Sequence, residues 1–171
     1  VLVVDGGSTD RTRDLVAEYA AVDARVRLVD NPRRTQPAAM NTAVEHVTSD
    51  WFVRVDAHST VPATYVARVM EHLPSGRWGG VGGRKDGVAL TEQGRAVAAA
   101  LGSKFGVGNS TYHHGTQPQE VDHIPFGAYP VEVIKELDGW DESISSNEDF
   151  EFDYRLRQSG RTLLFDPGLV I

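Results

Sequence analysis

Val1-Leu2-Val3-Val4-Asp5-Gly6-Gly7-Ser8-Thr9-Asp10 opens the chain. Four aliphatic residues running into Asp-Gly-Gly predict a strand buried on both faces and then a tight turn, with Ser8 or Thr9 placed to cap a helix. Over residues 9–21 the apolar positions Leu15, Val16, Tyr19 and Ala20 recur at helical spacing, and Asp10 lies in the first turn, where the helix dipole favours an acid. The unit then recurs. Residues 26–29 read as a strand, residues 30–36 as a polar loop, and Pro37 as the first residue of a helix whose inner face is Ala39, Met40, Ala43, Val44 and Val47. Residues 51–55 form the next strand, ending at Asp56, and residues 63–73 the helix after it. Three such pairs predict an α/β fold, a mostly parallel sheet flanked by helices and joined by right-handed crossovers.

From residue 79 the periodicity loosens. Gly79-Gly80-Val81-Gly82-Gly83 suggests a strand in close contact with another element. Residues 95–101 suggest an Ala-rich helix, and residues 102–119, rich in Gly, Ser, Thr and His, a loop or lid. A strand over 121–126, a short helix over 131–137, a helix over 147–159 stopped by Gly160, and a strand over 162–165 complete the reading. Aliphatic runs at both ends, 1–4 and 169–171, read as interrupted strands, so residues 1–171 are expected to be a single domain incomplete at both ends.

Composition narrows the chemistry. With 24 Asp and Glu against 17 Lys and Arg, the net charge is −7; the clustered base that nucleic acid needs is missing, and no nucleic-acid partner is expected. Cysteine is absent, which removes disulfides, thiolate metal sites and thiol nucleophiles and leaves oxygen and nitrogen ligands. No run approaches the roughly 20 apolar residues of a membrane-crossing helix. Membrane association is therefore expected only through flanking segments. An acidic chain still binds phosphate esters when a divalent cation lies between its carboxylates and the phosphates.

In open α/β sheets ligands bind at the carboxyl ends of strands, where Asp5 and Asp56 both stand. Either residue alone also reads as an ordinary turn or cap. Asp56-Ala57-His58 puts a carboxylate and an imidazole on one side of an extended segment, the pattern of two ligands to one cation, and the imidazole favours Mn2+ over Mg2+. The bland alternative is a turn with a surface histidine. Glu148, Asp149, Glu151 and Asp153 place four acids within six residues at a helix start. One reading makes Ser146 the N-cap and Asp149 its partner in a capping box. The other makes the carboxylate a general base facing the crevice. They pull apart on pKa, because the dipole lowers it and a base benefits from a raised one. Arg33, Arg34, Arg84, Lys85, His113 and His114 read as solvated loop residues, with phosphate, metal or acceptor contact as the alternative. The tryptophans read as packing, with sugar stacking left open for Trp140 in its loop.

In order and spacing these segments resemble family 2 glycosyltransferases. Val3-Val4-Asp5-Gly6-Gly7-Ser8-Thr9-Asp10 resembles the V-V-D-D-G-S-T-D signature, with Gly6 in place of the second Asp. Residues 31–41 resemble the N-x-G…A-R-N-x-G segment, with Met40 in place of Arg, and Asp56-Ala57-His58 occupies the D-x-D position. Gly139-Trp140-Asp141-Glu142 resembles G-G-F-D-E, and Asn147-Glu148-Asp149-Phe150-Glu151 with Arg155-Leu156 resembles the E-D-x-D-L-x-x-R-L helix. The Asp-Ala-His variant and Phe105-Gly106-Val107-Gly108-Asn109 are most similar to the succinoglycan-biosynthesis (ExoA-like) subgroup, which makes bacterial exopolysaccharide.

The resemblance implies a GT-A (Rossmann-like) fold, a nucleotide-diphosphate sugar donor, UDP-sugar above others, a divalent cation and inversion at the anomeric carbon. It further implies a saccharide or lipid-linked acceptor in exopolysaccharide or cell-envelope glycan synthesis, and a cytoplasmic location at the inner face of the plasma membrane. Residue by residue, Asp149 would take the acceptor proton, Asp5 would contact uracil or ribose, and Asp56 the ribose or metal. His58 would stand as the second metal ligand, with Glu148 and Trp140 as further substrate contacts. The family's first strand, upstream of the signature, and its downstream Q-x-x-R-W motif do not occur within residues 1–171. The changes at Gly6, Met40 and His58 suit a second reading, a catalytically inactive nucleotide-sugar binding module. A third is a metal-dependent hydrolase using Asp56, His58 and a distant histidine.

Overall fold

A computed structural model describes residues 1–89, 91–108 and 110–171, so Asn109 of the Phe105-Gly106-Val107-Gly108-Asn109 segment lies outside the described residues. The first unit forms as its periodicity dictates: β1 (Leu2–Asp5) feeds α1 (Thr12–Val22), which returns to β2 (Arg27–Asp30). The two strands pair in parallel, Leu2 opposite Arg27 through Asp5 opposite Asp30, and form a separate two-stranded sheet. Helix α1 starts later than Ser8 and Thr9 suggest, because the Ser8 hydroxyl turns back onto Asp5 Oδ1 (2.5 Å) and Asp10 Oδ1 accepts the Thr12 N–H instead (3.0 Å). Next come α2 (Gln36–His46), with Pro37 in its first turn and Ala38, Met40, Thr42 and Ala43 buried, then β3 (Trp51–Val53) and α3 (Tyr65–His72).

The second half supplies the larger sheet. It contains β4 (Gly80–Arg84), α4 (Glu92–Leu101), α5 (Lys104–Val107), α6 (Thr111–His114), β5 (Gln119–Val121), β6 (Ala128–Pro130), α7 (Val131–Glu136), α8 (Glu148–Gln158) and β7 (Leu163–Val170). The strand order is β3-β6-β4-β7-β5. Only β4 and β7 run parallel within it; β6 pairs antiparallel with both β3 and β4, and β5 antiparallel with β7. The α/β class and the flanking helices stand as expected, and the larger sheet is mixed. The loop expected over 102–119 contains two short helices, and the strand expected over 121–126 ends at Val121, before Pro125 and before Phe126, whose φ is +52°. Strand β7 runs on past Phe165, absorbing Pro167 and Gly168 at a register shift opposite Gly83 and Arg84.

Two cores cover the sheet. On one face α2, α7 and α8 bury Met40, Phe52, Tyr129, Ile134, Phe152 and Leu156; on the other α3 buries Tyr65 and Val69, with Leu73 just past its end, against Val81, Leu164 and Leu169. The glycines of β4 mark close approaches. A Cβ on Gly83 would lie 1.7 Å from the Leu169 carbonyl oxygen and one on Gly80 2.6 Å from the Tyr129 ring. No described helix is long and apolar enough to cross a membrane.

Candidate active site

Strand ends and one helix start supply the acids. Asp5 closes β1 and is buried; its carboxylate accepts the Gly7 N–H (3.1 Å), the Ser8 N–H (3.2 Å), the Ser8 hydroxyl (2.5 Å) and Arg13 (2.7 Å). The Ser8 hydroxyl first and Arg13 second hold its pKa down at about 2. Gly7 has a φ of +90°, which the tight turn requires. Arg13 also reaches Asp30 (2.7 Å), so one guanidinium ties the ends of β1 and β2 together. Asn31 follows directly, 3% exposed, with its amide nitrogen on the Thr35 carbonyl (2.9 Å) and its Oδ1 buried with no partner among the described residues.

The centre of the site is a residue the sequence reading passed over. Arg54, 9% exposed at the end of β3, donates Nε to Asp56 Oδ1 (2.7 Å), Nη2 to Asp56 Oδ2 (3.1 Å) and Nη1 to Asp149 (2.6 Å). Burial opposes its charge, but Asp149 and Asp56 outweigh that and raise its pKa. The Phe126 ring lies beneath the guanidinium, 5.4 Å away, placed there by its positive φ. The amide of Gln36, the first residue of α2, lies among Asp56, Glu148 and Arg54; assigned from these neighbours, its nitrogen donates to Glu148 Oε1 (3.1 Å) and its oxygen accepts from Arg54. Asp56, Glu148 and Asp149 are thus brought together; no described contact joins them to Asp5.

Helix α8 starts differently from the capping-box expectation. Its N-cap is Asn147, in the left-handed region with φ 63° and no side-chain cap bond, and Asp149 turns to Arg54. Burial is the first cause that raises the Asp149 pKa; Glu148 and Asp153 add to it, while Arg54 and His123 oppose. Burial and the neighbouring acids therefore outweigh Arg54 and His123, the direction that suits a base. Asp149 and Glu148 line a cavity of about 750 Å³ with Tyr112, His123 and Phe150, within the size range of small-molecule sites.

Two expected residues stand elsewhere. Trp140, set among the substrate contacts above, is 2% exposed; its ring stacks on Phe152 (4.6 Å, 22°) and lies 5.6 Å from Phe52, so it is a core residue without a face for a sugar. Its main chain does position the site's rear: Asn41 accepts from the Trp140 N–H (2.9 Å) and donates to the Trp140 carbonyl (2.8 Å) and Glu142 (3.0 Å). His58 is exposed on the loop after β3. Among the described residues no group of three His, Asp or Glu is placed to hold a metal. One carboxylate already paired with Arg54 and one exposed imidazole fit a cation shared with a ligand's phosphate oxygens, and do not fit one held by protein alone.

The residues missed were legible only in part. Arg54 breaks an otherwise apolar strand, and Asp153 sits at a core position of α8 between Phe152 and Leu156; both are polar side chains where the pattern requires apolar ones.

Residues 1–129 match the family model described as glycosyl transferase family 2. The chain is 38% identical over 162 residues to succinoglycan biosynthesis protein ExoA of Rhizobium meliloti (strain 1021), covering 94% of the chain and 49% of that protein. It is 24% identical over 180 residues to the dolichyl N-acetyl-alpha-D-glucosaminyl phosphate 3-beta-D-2,3-diacetamido-2,3-dideoxy-beta-D-glucuronosyltransferase of Methanococcus voltae, covering 99% of the chain and 55% of that protein. The chain therefore spans about half the length of these curated relatives. Among solved structures, S. aureus TarS 1–349 in complex with UDP superposes with a TM-score of 0.71 at 16% identity, over 100% of this chain and 51% of that one. That likeness shows a GT-A fold. With the family model matched over the signature strand and the Asp56 segment, this chain belongs to glycosyl transferase family 2.

Proposed function

We propose that the intact protein is an inverting glycosyltransferase that moves a sugar from a UDP-sugar to a saccharide or lipid-linked acceptor in exopolysaccharide or cell-envelope glycan synthesis, at the inner face of the plasma membrane. One observation carries the reading: Asp149, its pKa raised by burial, lines a cavity of about 750 Å³ and is joined through Arg54 to Asp56. The names of the relatives, succinoglycan biosynthesis and a dolichyl-phosphate-linked saccharide transferase, support the product and acceptor classes, and TarS bound to UDP supports the donor.

In the proposed reaction an acceptor hydroxyl oxygen attacks the anomeric carbon, the carbon–oxygen bond to the diphosphate breaks, and Asp149 takes the hydroxyl proton. Base catalysis of this kind contributes roughly 100- to 10,000-fold. Arg54 holds Asp149 and its neighbour Asp56 in place. Asp5, locked as an ionised acceptor, shapes the turn that would meet the nucleoside, and the unmatched Asn31 Oδ1 offers an acceptor to a donor group there. Asp56 and His58 would hold a divalent cation, Mn2+ in preference to Mg2+, that neutralises the departing diphosphate. Glu148, tied to Gln36, would contact the donor. Trp140 supports these residues from behind through Asn41.

UDP with Mn2+ is expected to raise the melting temperature of the intact protein, and Asp149→Asn to abolish transfer while keeping that shift. No shift with any nucleotide diphosphate and metal would refute donor binding; full activity of the variant would remove Asp149 from its role. The Arg54 contact also favours a second reading, a nucleotide-sugar binding module, since a carboxylate held by a guanidinium is a weakened base. Hydrolysis or transfer of donor by the unaltered protein would dismiss it.

A further inference from the structure

Resting on the glycosyltransferase reading above, we propose that His123 and Asp153 form a hydroxyl-binding subsite for a saccharide acceptor beside Asp149. Asp153 is fully buried on α8, one turn beyond Asp149. Its Oδ2 faces the His123 Nδ1 (2.7 Å) and accepts the Ile124 N–H (2.9 Å), and its Oδ1 accepts the Tyr129 hydroxyl (2.8 Å). Three partners converge on one carboxyl, and a peptide N–H among them can only donate. Burial raises the Asp153 pKa while these three hydrogen bonds oppose the rise; as an acceptor-only carboxylate it satisfies all three partners, and it then requires a proton on Nδ1 of the His123 ring. In the neutral ring Nε2 is then left as an acceptor, whereas in the imidazolium it would be a second donor.

That nitrogen belongs to a residue in the wall of the Asp149 cavity. The ring is held between Tyr112, edge-on at 5.6 Å, and Phe150, at 5.2 Å, and both line the same cavity. Phe150 is 51% exposed. An apolar ring face beside a fixed, directional acceptor matches a sugar, which offers C–H groups on one face and hydroxyls at its rim. None of the motifs contains His123, and the proton-accepting role of Asp149 does not use it.

The test separates packing from binding. His123→Asn keeps a side-chain N–H near the Nδ1 position for Asp153 and deletes Nε2; His123→Gln puts an amide oxygen near the Nε2 position and loses the Asp153 link. Transfer from labelled UDP-glucose, UDP-galactose and UDP-N-acetylglucosamine is measured with the full-length protein, titrating an extract of the host's cell envelope as acceptor. The expected result is an acceptor KM raised about tenfold in His123→Asn, the scale of one lost neutral hydrogen bond, with the donor KM and melting temperature unmoved, and partial recovery in His123→Gln. Nitrogen NMR of the ring should show Nδ1 protonated and Nε2 bare. An unchanged acceptor KM in both variants, or a proton on Nε2, overturns the subsite alone. No transfer by the unaltered protein from any of the three donors overturns the glycosyltransferase reading, and the subsite with it.

Discussion

Arg54 joins two carboxylates that are otherwise separate, one two residues away and one 95 residues away. Replacing it with Met would leave both acids without a counter-charge in a partly buried place. The expected loss at pH 7 is roughly 2–3 kcal/mol, below the range for fully buried pairs because both acids keep some access to water. Asp149 sets the pH dependence. Its pKa is already raised in the fold, and without the guanidinium it rises further. An acid whose folded pKa is raised gains stability as pH falls toward that pKa, because the folded state then binds the proton more tightly than the unfolded chain. Arg54→Met should therefore recover part of its deficit as the pH falls from 7 to 4, toward the free side chain's 3.8. Urea titrations at both values check this, and an equal deficit at each would refute the account. Asp56 and Asp149 stand out in the sequence because their motifs are short and local, whereas the partner that couples them lies beyond any local pattern.

At the scale of elements, close approach decides more than propensity. Gly83 admits no side chain, since a Cβ would meet the Leu169 carbonyl at 1.7 Å, so Gly83→Ala must push β7 from β4. The expected cost is about 3 kcal/mol or more, as for overpacked cores, read as a lower midpoint in denaturant. The Asn41 clamp ties α2 to residues 140–142 with three hydrogen bonds. Asn41→Ala should cost about 2 kcal/mol and lower the affinity for UDP by loosening the α2 end that carries Gln36, measurable by calorimetry; an unchanged midpoint would remove the clamp from the account. Local periodicity made β1, α1, β2 and α2 legible. It could not reveal β6, whose three residues Ala128–Pro130 carry no alternation and become a strand only because β3 and β4 lie on either side.

For the whole molecule, two buried acids far apart contribute to the acid limit. Asp5 and Asp166 both have folded pKa values of about 2 against 3.8 for the free side chain. For Asp166 burial would raise the value, but Arg68, the Gly168 N–H and His72 outweigh it. Lowered pKa values of this kind contribute stability that is full above about pH 4 and is lost as pH falls toward 2. Asp166→Asn is expected to cost about 2–3 kcal/mol at pH 7, Arg68 being half in water, and to flatten the loss between pH 4 and pH 2. Acid titrations followed by circular dichroism check the slope; an unchanged slope would refute the assignment. Taken alone, the chain's spacing determined the strand–helix order, the family motifs and the acids at strand and helix ends, because those depend on contacts a few residues long. Tertiary packing decided that Trp140 is core, that Asp149 is a partly buried acid with a raised pKa instead of a cap, and that His123 shares its cavity. Burial and charge pairing are properties of neighbours brought in from distant segments, and no local periodicity encodes them.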